Sequence, residues 1–213
     1  MSIQSWGQPQ QLKPISPLFI NLSNPDVKFE KGKTYYQASD GSIIAVDKNS
    51  QGKVFEDKNG KVSIYNMDGV NYYGGNEDNN VSIYNSTINE VNAGRGKDKV
   101  TVINSQGGDI NGGRGKDKIN VINSKVDDIF GGRGSDFINI QNSKSDYVSG
   151  GRGNDIVNMG HSGANTLYGG KGEDIFKINH SGVRFVDGGK ELDKTYDFHS
   201  FVGNTDRTLY YES

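Results

Sequence analysis

From about residue 62 to residue 198 the chain alternates apolar and polar positions in short blocks that return every nineteen residues. Val100, Ile119, Ile138, Val157 and Phe176 form one apolar series, and Val102, Val121, Ile140, Met159 and Ile178 form a second, two residues further on. Thr101, Asn120, Asn139, Asn158 and Lys177 fall between them. A period of two sends successive side chains to opposite faces, so each block reads as a strand with one buried face. A third series, Val91, Ile110, Ile129, Val148, Leu167 and Val186, precedes a glycine-rich segment in every repeat. One repeat is therefore strand, turn, strand, turn, and its strands must pair with those of neighbouring repeats. The predicted fold is all-β: a right-handed parallel β-solenoid with capping ends, two sheets around a thin aliphatic core, rising about 4.8 Å per coil.

The same register reaches back to Val62-Ser-Ile-Tyr-Asn66 and Val81-Ser-Ile-Tyr-Asn85, which places the solenoid at 55–198. All four prolines (Pro9, Pro14, Pro17, Pro25) precede it, as expected of a residue that cannot donate to a ladder. Residues 1–30 read as an extended arm and 31–54 as an N-terminal β cap, because an open solenoid end exposes strand edges. Residues 199–213 read as a C-terminal cap or a secretion tail.

Composition narrows the class. Thirty glycines and only 32% hydrophobic residues leave too little for a thick globular core, but enough for a narrow one. A net charge of −2 sets up no strong field toward nucleic acid or membrane, and no apolar run nears the roughly 18 residues of a membrane span. With no cysteine there is neither a disulfide framework nor a thiolate metal site. The first residues lack a basic start followed by an apolar stretch, so a Sec-type signal is not visible. Enzyme signatures are missing too: Gly160-His-Ser-Gly-Ala164 fails the hydrolase elbow at its last position, and no H-E-x-x-H or phosphate loop occurs.

The bends repeat as strictly as the strands. Ala93-Gly-Arg-Gly-Lys-Asp98 returns as Gly112-Gly-Arg-Gly-Lys-Asp117, Gly131-Gly-Arg-Gly-Ser-Asp136, Gly150-Gly-Arg-Gly-Asn-Asp155 and Gly169-Gly-Lys-Gly-Glu-Asp174. Altered copies stand at Gly74-Gly-Asn-Glu-Asp-Asn79 and Gly188-Gly-Lys-Glu-Leu-Asp193. Six of the seven copies carry Asp at one position, more than a merely flexible turn requires. Glycine admits positive φ and lets backbone carbonyls turn toward a common point. Stacking such turns brings successive carboxylates together, where like charges repel. A hard divalent cation removes the repulsion, and Ca2+ suits an irregular oxygen cage better than Mg2+.

Gly131–Asn139 and Gly150–Asn158 resemble the nonapeptide G-G-x-G-x-D-x-U-x of the RTX (repeats-in-toxin) calcium-binding β-roll family at every defined position. The resemblance implies one Ca2+ between adjacent turns, shared by Asp98/Asp117, Asp117/Asp136, Asp136/Asp155, Asp155/Asp174 and Asp174/Asp193, about five ions in all. It implies glycine carbonyls completing each shell, from Gly94, Gly96, Gly113, Gly115, Gly132, Gly134, Gly151, Gly153, Gly170 and Gly172. The end copies depart from the motif: Asn79 replaces Asp, Glu77 replaces a glycine, and Glu191 and Leu192 alter the last turn. The family's usual coil has two nine-residue repeats, with calcium on both edges. Here the second turn reads Asn123-Ser-Lys-Val-Asp-Asp128 or His161-Ser-Gly-Ala-Asn165, so calcium is expected along one edge only. This one-sided arrangement is also similar to the calcium-dependent ice-binding repeats of a bacterial adhesin. The rows that meet ice there correspond to Arg95, Arg114, Arg133, Arg152, Lys171 and to Lys97, Lys116, Ser135, Asn154, Glu173, and charged, mobile Arg is a poor ice template.

The row Arg95, Arg114, Arg133, Arg152, Lys171 has two readings: charge balance for the Asp row, or a rail for an acidic polysaccharide or other cell-surface polyanion. At the opposite turn Asn66, Asn85, Asn104, Asn123 and Asn142 form a row that continues as His161, His180 and His199, the chain's only histidines. Those imidazoles either substitute for Asn in the turn or offer a transition-metal site. Outward apolar positions (Tyr65, Tyr84, Ile103, Ile122; Phe137, Ile156, Ile175) suit docking of the N-terminal arm, a protein partner or a second copy. The expected function is a secreted, non-enzymatic bacterial calcium-binding module. It would stay unfolded in a low-calcium cytosol and fold on binding Ca2+ outside. The resemblance implies export with a C-terminal signal and without a cleaved Sec peptide. The alternatives are a carbohydrate- or polyanion-binding solenoid using the Arg row, and an adhesive or structural subunit.

Overall fold

The computed structural model describes residues 8–16, 27, 29–205 and 209–212. Every regular element among them is a strand, so none is a helix long and apolar enough to cross a membrane. The N-terminal strands are β1 (Gln10–Gln11), β2 (Lys33–Gln37), β3 (Ile43–Asp47), β4 (Lys53–Glu56), β5 (Val62–Tyr65) and β6 (Val70–Gly75). The coils then follow in pairs: β7 (Asn80–Tyr84) and β8 (Ile88–Gly94), β9 (Lys99–Ile103) and β10 (Asp109–Arg114), β11 (Lys118–Ile122) and β12 (Asp128–Arg133). Next come β13 (Phe137–Gln141) and β14 (Lys144–Arg152), β15 (Ile156–Gly160) and β16 (Gly163–Lys171), β17 (Ile175–Asn179) and β18 (Gly182–Gly189). The chain closes with β19 (Asp193–Phe198), β20 (Phe201–Thr205) and β21 (Leu209–Glu212).

One sheet of eleven strands takes β1, β4, β5 and every odd-numbered strand from β7 to β21; the other, of ten, takes β2, β3, β6 and every even-numbered strand from β8 to β20. From β5–β7 and β6–β8 onward all pairs are parallel, and Ile119 lies beside Ile138 and Ile110 beside Ile129, nineteen residues apart. The result is a parallel β-solenoid of about seven coils.

The three apolar series of the sequence line its interior, all buried, in one continuous cluster from Tyr36 to Val186. Each fully buried Val or Ile contributes about 1.5–3 kcal/mol, so a core only two side chains thick holds the stack together. A small second cluster (Val27, Tyr35, Ile43, Ala45, Tyr73) sits under the N-terminal hairpin.

At the N-terminal end both sheets begin antiparallel, through β1–β4–β5 and β2–β3–β6, which covers the edge of the first coil. Part of the segment read as a loose arm is thus in the sheet: β1 pairs with β4, and Leu12 packs on the core. Residues 1–7 and 17–26 of that arm lie outside the described residues. Antiparallel β4 straddles the boundary drawn at residue 55. At the other end the tail adds one more parallel strand to each sheet, β20 on β18 and β21 on β19.

The second turn shows why Asn and His alternate there. Asn66, Asn85, Asn104, Asn123, Asn142, His161, His180 and His199 all have φ between 48° and 54°. Outside glycine, Asn, Asp and His enter this left-handed region most readily. From Asn85 onward a serine follows each, and those from Ser86 to Ser181 are nearly buried. The serine N–H donates to the next coil's serine Oγ at 3.0–3.1 Å, from Ser86 to Ser200, and its own hydroxyl donates to the carbonyl two residues back. This serine ladder satisfies the polar groups that the turn buries.

Candidate metal edge

The six aspartates stand in one row, one per coil at the strand starts, and all are at most 2% exposed. Each Oδ1 accepts a backbone N–H from the preceding coil: Asp98 N–H to Asp117, Asp117 to Asp136, Asp136 to Asp155, Asp155 to Asp174 and Asp174 to Asp193, at 2.7–2.8 Å. Half of each carboxylate is thereby committed to the backbone. The resemblance alone did not reveal this. The other oxygen, Oδ2, of Asp98, Asp117, Asp136, Asp155 and Asp174 is buried and has no hydrogen-bond partner.

Four of those oxygens lie against the first glycine of their own turn; the Asp98 turn has Ala93 at that place. A Cβ on Gly112 would fall 2.8 Å from Asp117 Oδ2, and one on Gly131 would fall 2.8 Å from Asp136 Oδ2. The glycines read as carbonyl donors, Gly94, Gly96, Gly113, Gly115, Gly132, Gly134, Gly151, Gly153, Gly170 and Gly172, all have φ between 95° and 143°. At Gly115 the requirement is double: φ is +143°, and any Cβ would collide with the carbonyl oxygen of Gly96 in the coil below. The glycines thus bring carbonyl and carboxylate oxygens of adjacent coils into one confined edge.

Electrostatics at this edge are unfavourable without a counter-charge. Burial raises the carboxyl pKa of Asp136 to about 6, of Asp98 and Asp174 to about 7 and of Asp155 to about 8. Neighbouring carboxylates add to the rise, while the backbone N–H bond at Oδ1 opposes it. Asp117 shifts the same way for the same leading cause.

The Arg row makes no ion pair with the Asp row among the described residues. Arg95, Arg114, Arg133, Arg152 and Lys171 are exposed, and the only ion pair among the described residues is Lys33–Asp47. Any balance the row gives Asp98 to Asp174 acts through space, without a contact ion pair. What the row contributes is backbone: Gly115 N–H donates to the Arg133 carbonyl, and Gly134 N–H to that of Arg152, both at 2.7 Å.

Among the described residues no three His, Cys, Asp or Glu side chains converge as a metal cluster. A cation at this edge would have one or two carboxylates plus carbonyls to hold it, an all-oxygen donor set of the kind Ca2+ accepts more readily than a softer ion does. The row extends further than the aspartates. Asn79 Oδ1 is also buried without a partner and lies against Gly74, as the Oδ2 atoms of Asp117, Asp136, Asp155 and Asp174 lie against their glycines. Its Nδ2 donates to Asp40 Oδ2 at 2.8 Å, from the β2–β3 turn. Sequence reading missed Asp40: Asp40-Gly41 marks a turn, but nothing local says where that turn docks.

The edge and the fold together define a class: a parallel β-solenoid of nineteen-residue coils carrying a buried row of carboxylates along one side. No protein-family model, curated protein or solved structure matches the chain.

Proposed function

We propose that this is a calcium-binding protein of RTX type, a β-roll without a catalytic step, whose acidic edge takes up Ca2+ between successive turns and which completes its folding on doing so outside the cell. The observation that carries the reading is the set of five buried Asp Oδ2 atoms without partners, four of them held against the first glycine of their own turn. Buried charge persists only when it is paired or coordinates a metal. Each carboxylate already uses Oδ1 on the backbone, so a cation on Oδ2 completes its shell without breaking the ladder. Extracellular calcium is millimolar, so even weak sites would fill there and stay empty in the cytosol.

Isothermal titration of metal-stripped protein with CaCl2, read beside far-ultraviolet circular dichroism, tests this. Expected are uptake of about five ions, one per shared turn, a gain in β signal, and no equivalent response to MgCl2. A chain that stays fully folded in chelator and takes up no calcium would falsify the reading.

A further inference from the structure

On the opposite edge, a groove of about 750 Å³ runs along five successive second turns, from Asn104 to His180. Its floor is the serine ladder, whose N–H and hydroxyl groups are spent on one another and on the backbone. Its walls are exposed side chains: Asn123 and Asn142, Lys125 and Lys144, and the imidazoles of His161 and His180. No carboxylate lines it, and neither lysine is in an ion pair. Asp146 lines an adjoining smaller recess that shares Lys125, Lys144 and Gly163 with the groove, and there Asn165 Nδ2 donates to it at 3.0 Å.

We propose that this groove binds a linear acidic polysaccharide lying along the solenoid axis. Walls rich in N–H donors with two free ammonium groups select an anion, and the absence of acids in the lining removes what would repel it. The donors recur once per coil, about every 4.8 Å, so they match a polymer of regular repeat, and linked sugar rings advance by a similar distance per residue. Nucleic acid fits less well because it needs open aromatic faces for its bases. Here His161, His180 and His199 stack on one another, with centroids 5.1 and 5.3 Å apart, and cover each other's faces. The groove, not the exposed Arg row on the other edge, is where donors of five successive coils line one continuous recess. The inference rests on the fold and is independent of the calcium reading.

The test is binding of a fluorescent hexamer of mannuronate to the full chain in saturating calcium at physiological salt, with circular dichroism confirming that every variant is folded. Lys125→Gln/Lys144→Gln is expected to weaken binding about tenfold, while Arg114→Gln/Arg133→Gln leaves it within about twofold. A neutral cellohexaose and a thymidine octanucleotide are expected not to bind. Loss of binding in the Arg variant but not the Lys variant, binding of the oligonucleotide as tight as that of the glycan, or no binding of mannuronate by the folded protein would each overturn the proposal.

Discussion

Asn79 Nδ2 donates a 2.8 Å hydrogen bond to Asp40 Oδ2, joining the N-terminal hairpin to the first rung of the acidic edge. Asn79 takes the register of Asp98 and its backbone N–H bonds Asp98 Oδ1, so it continues the row with an amide where the other coils have a charge. The hairpin can dock there because the amide offers a donor to Asp40; a carboxylate could not.

Asn79→Asp is therefore expected to lower the unfolding free energy of metal-stripped protein at neutral pH by about 1–3 kcal/mol. Asp40→Asn in the same chain should restore most of the loss. A double-mutant cycle on thermal unfolding measures the coupling, and additive effects would refute the contact.

Asp136→Asn should change sign with calcium. Without metal the variant removes a desolvated charge yet keeps an oxygen for the Asp117 N–H, and it should gain about 1–2 kcal/mol at pH 8. With calcium it should lose stability and bind fewer ions, because one carboxylate serves two turns. Urea unfolding in chelator and in CaCl2 checks both halves; the same sign in both would remove the case for a metal at that turn.

The pH dependence of the metal-free protein follows from the raised carboxyls. Asp98, Asp136, Asp155 and Asp174 keep their protons in the folded state up to about pH 6–8, whereas an unperturbed Asp loses its proton near 3.8. The native state binds more protons across that window, so stability is full below about pH 4 and is lost as pH rises through about 6 to 8. Melting temperature should fall from about pH 5 to about pH 8 in stripped protein. Calcium should flatten or reverse the slope, since it competes with protons for the same oxygens.

Backbone substitutions separate the two turns. Gly134→Ala puts a Cβ onto the Gly115 carbonyl oxygen at φ +139° and should cost at least about 2 kcal/mol. Lys116→Ala, on an exposed position, should stay within about 0.5 kcal/mol. On the other edge Asn123→Ala at φ 50° should cost about 1 kcal/mol and Asn123→Gly less. Thermal melts of the four variants rank them, and Gly134→Ala equal to Lys116→Ala would mean the coils are not stacked as described.

The coil period, the three buried rows and the position of the acidic turn are legible in the order of residues, because strand alternation and glycine bends are local and repeat nineteen residues apart. Asn and His at φ near 50° belong to the same local grammar, and the serine that follows them from Asn85 onward signals its ladder in retrospect. Only the folded chain decides what lies far apart in sequence. Asp40 meets Asn79 across thirty-nine residues, the first strands reverse direction to cover an edge, and each aspartate turns one oxygen to the backbone and the other into an enclosed turn. Those outcomes depend on stacking. A carboxylate's surroundings here are built by the coils on either side of it, and no window of one repeat contains them.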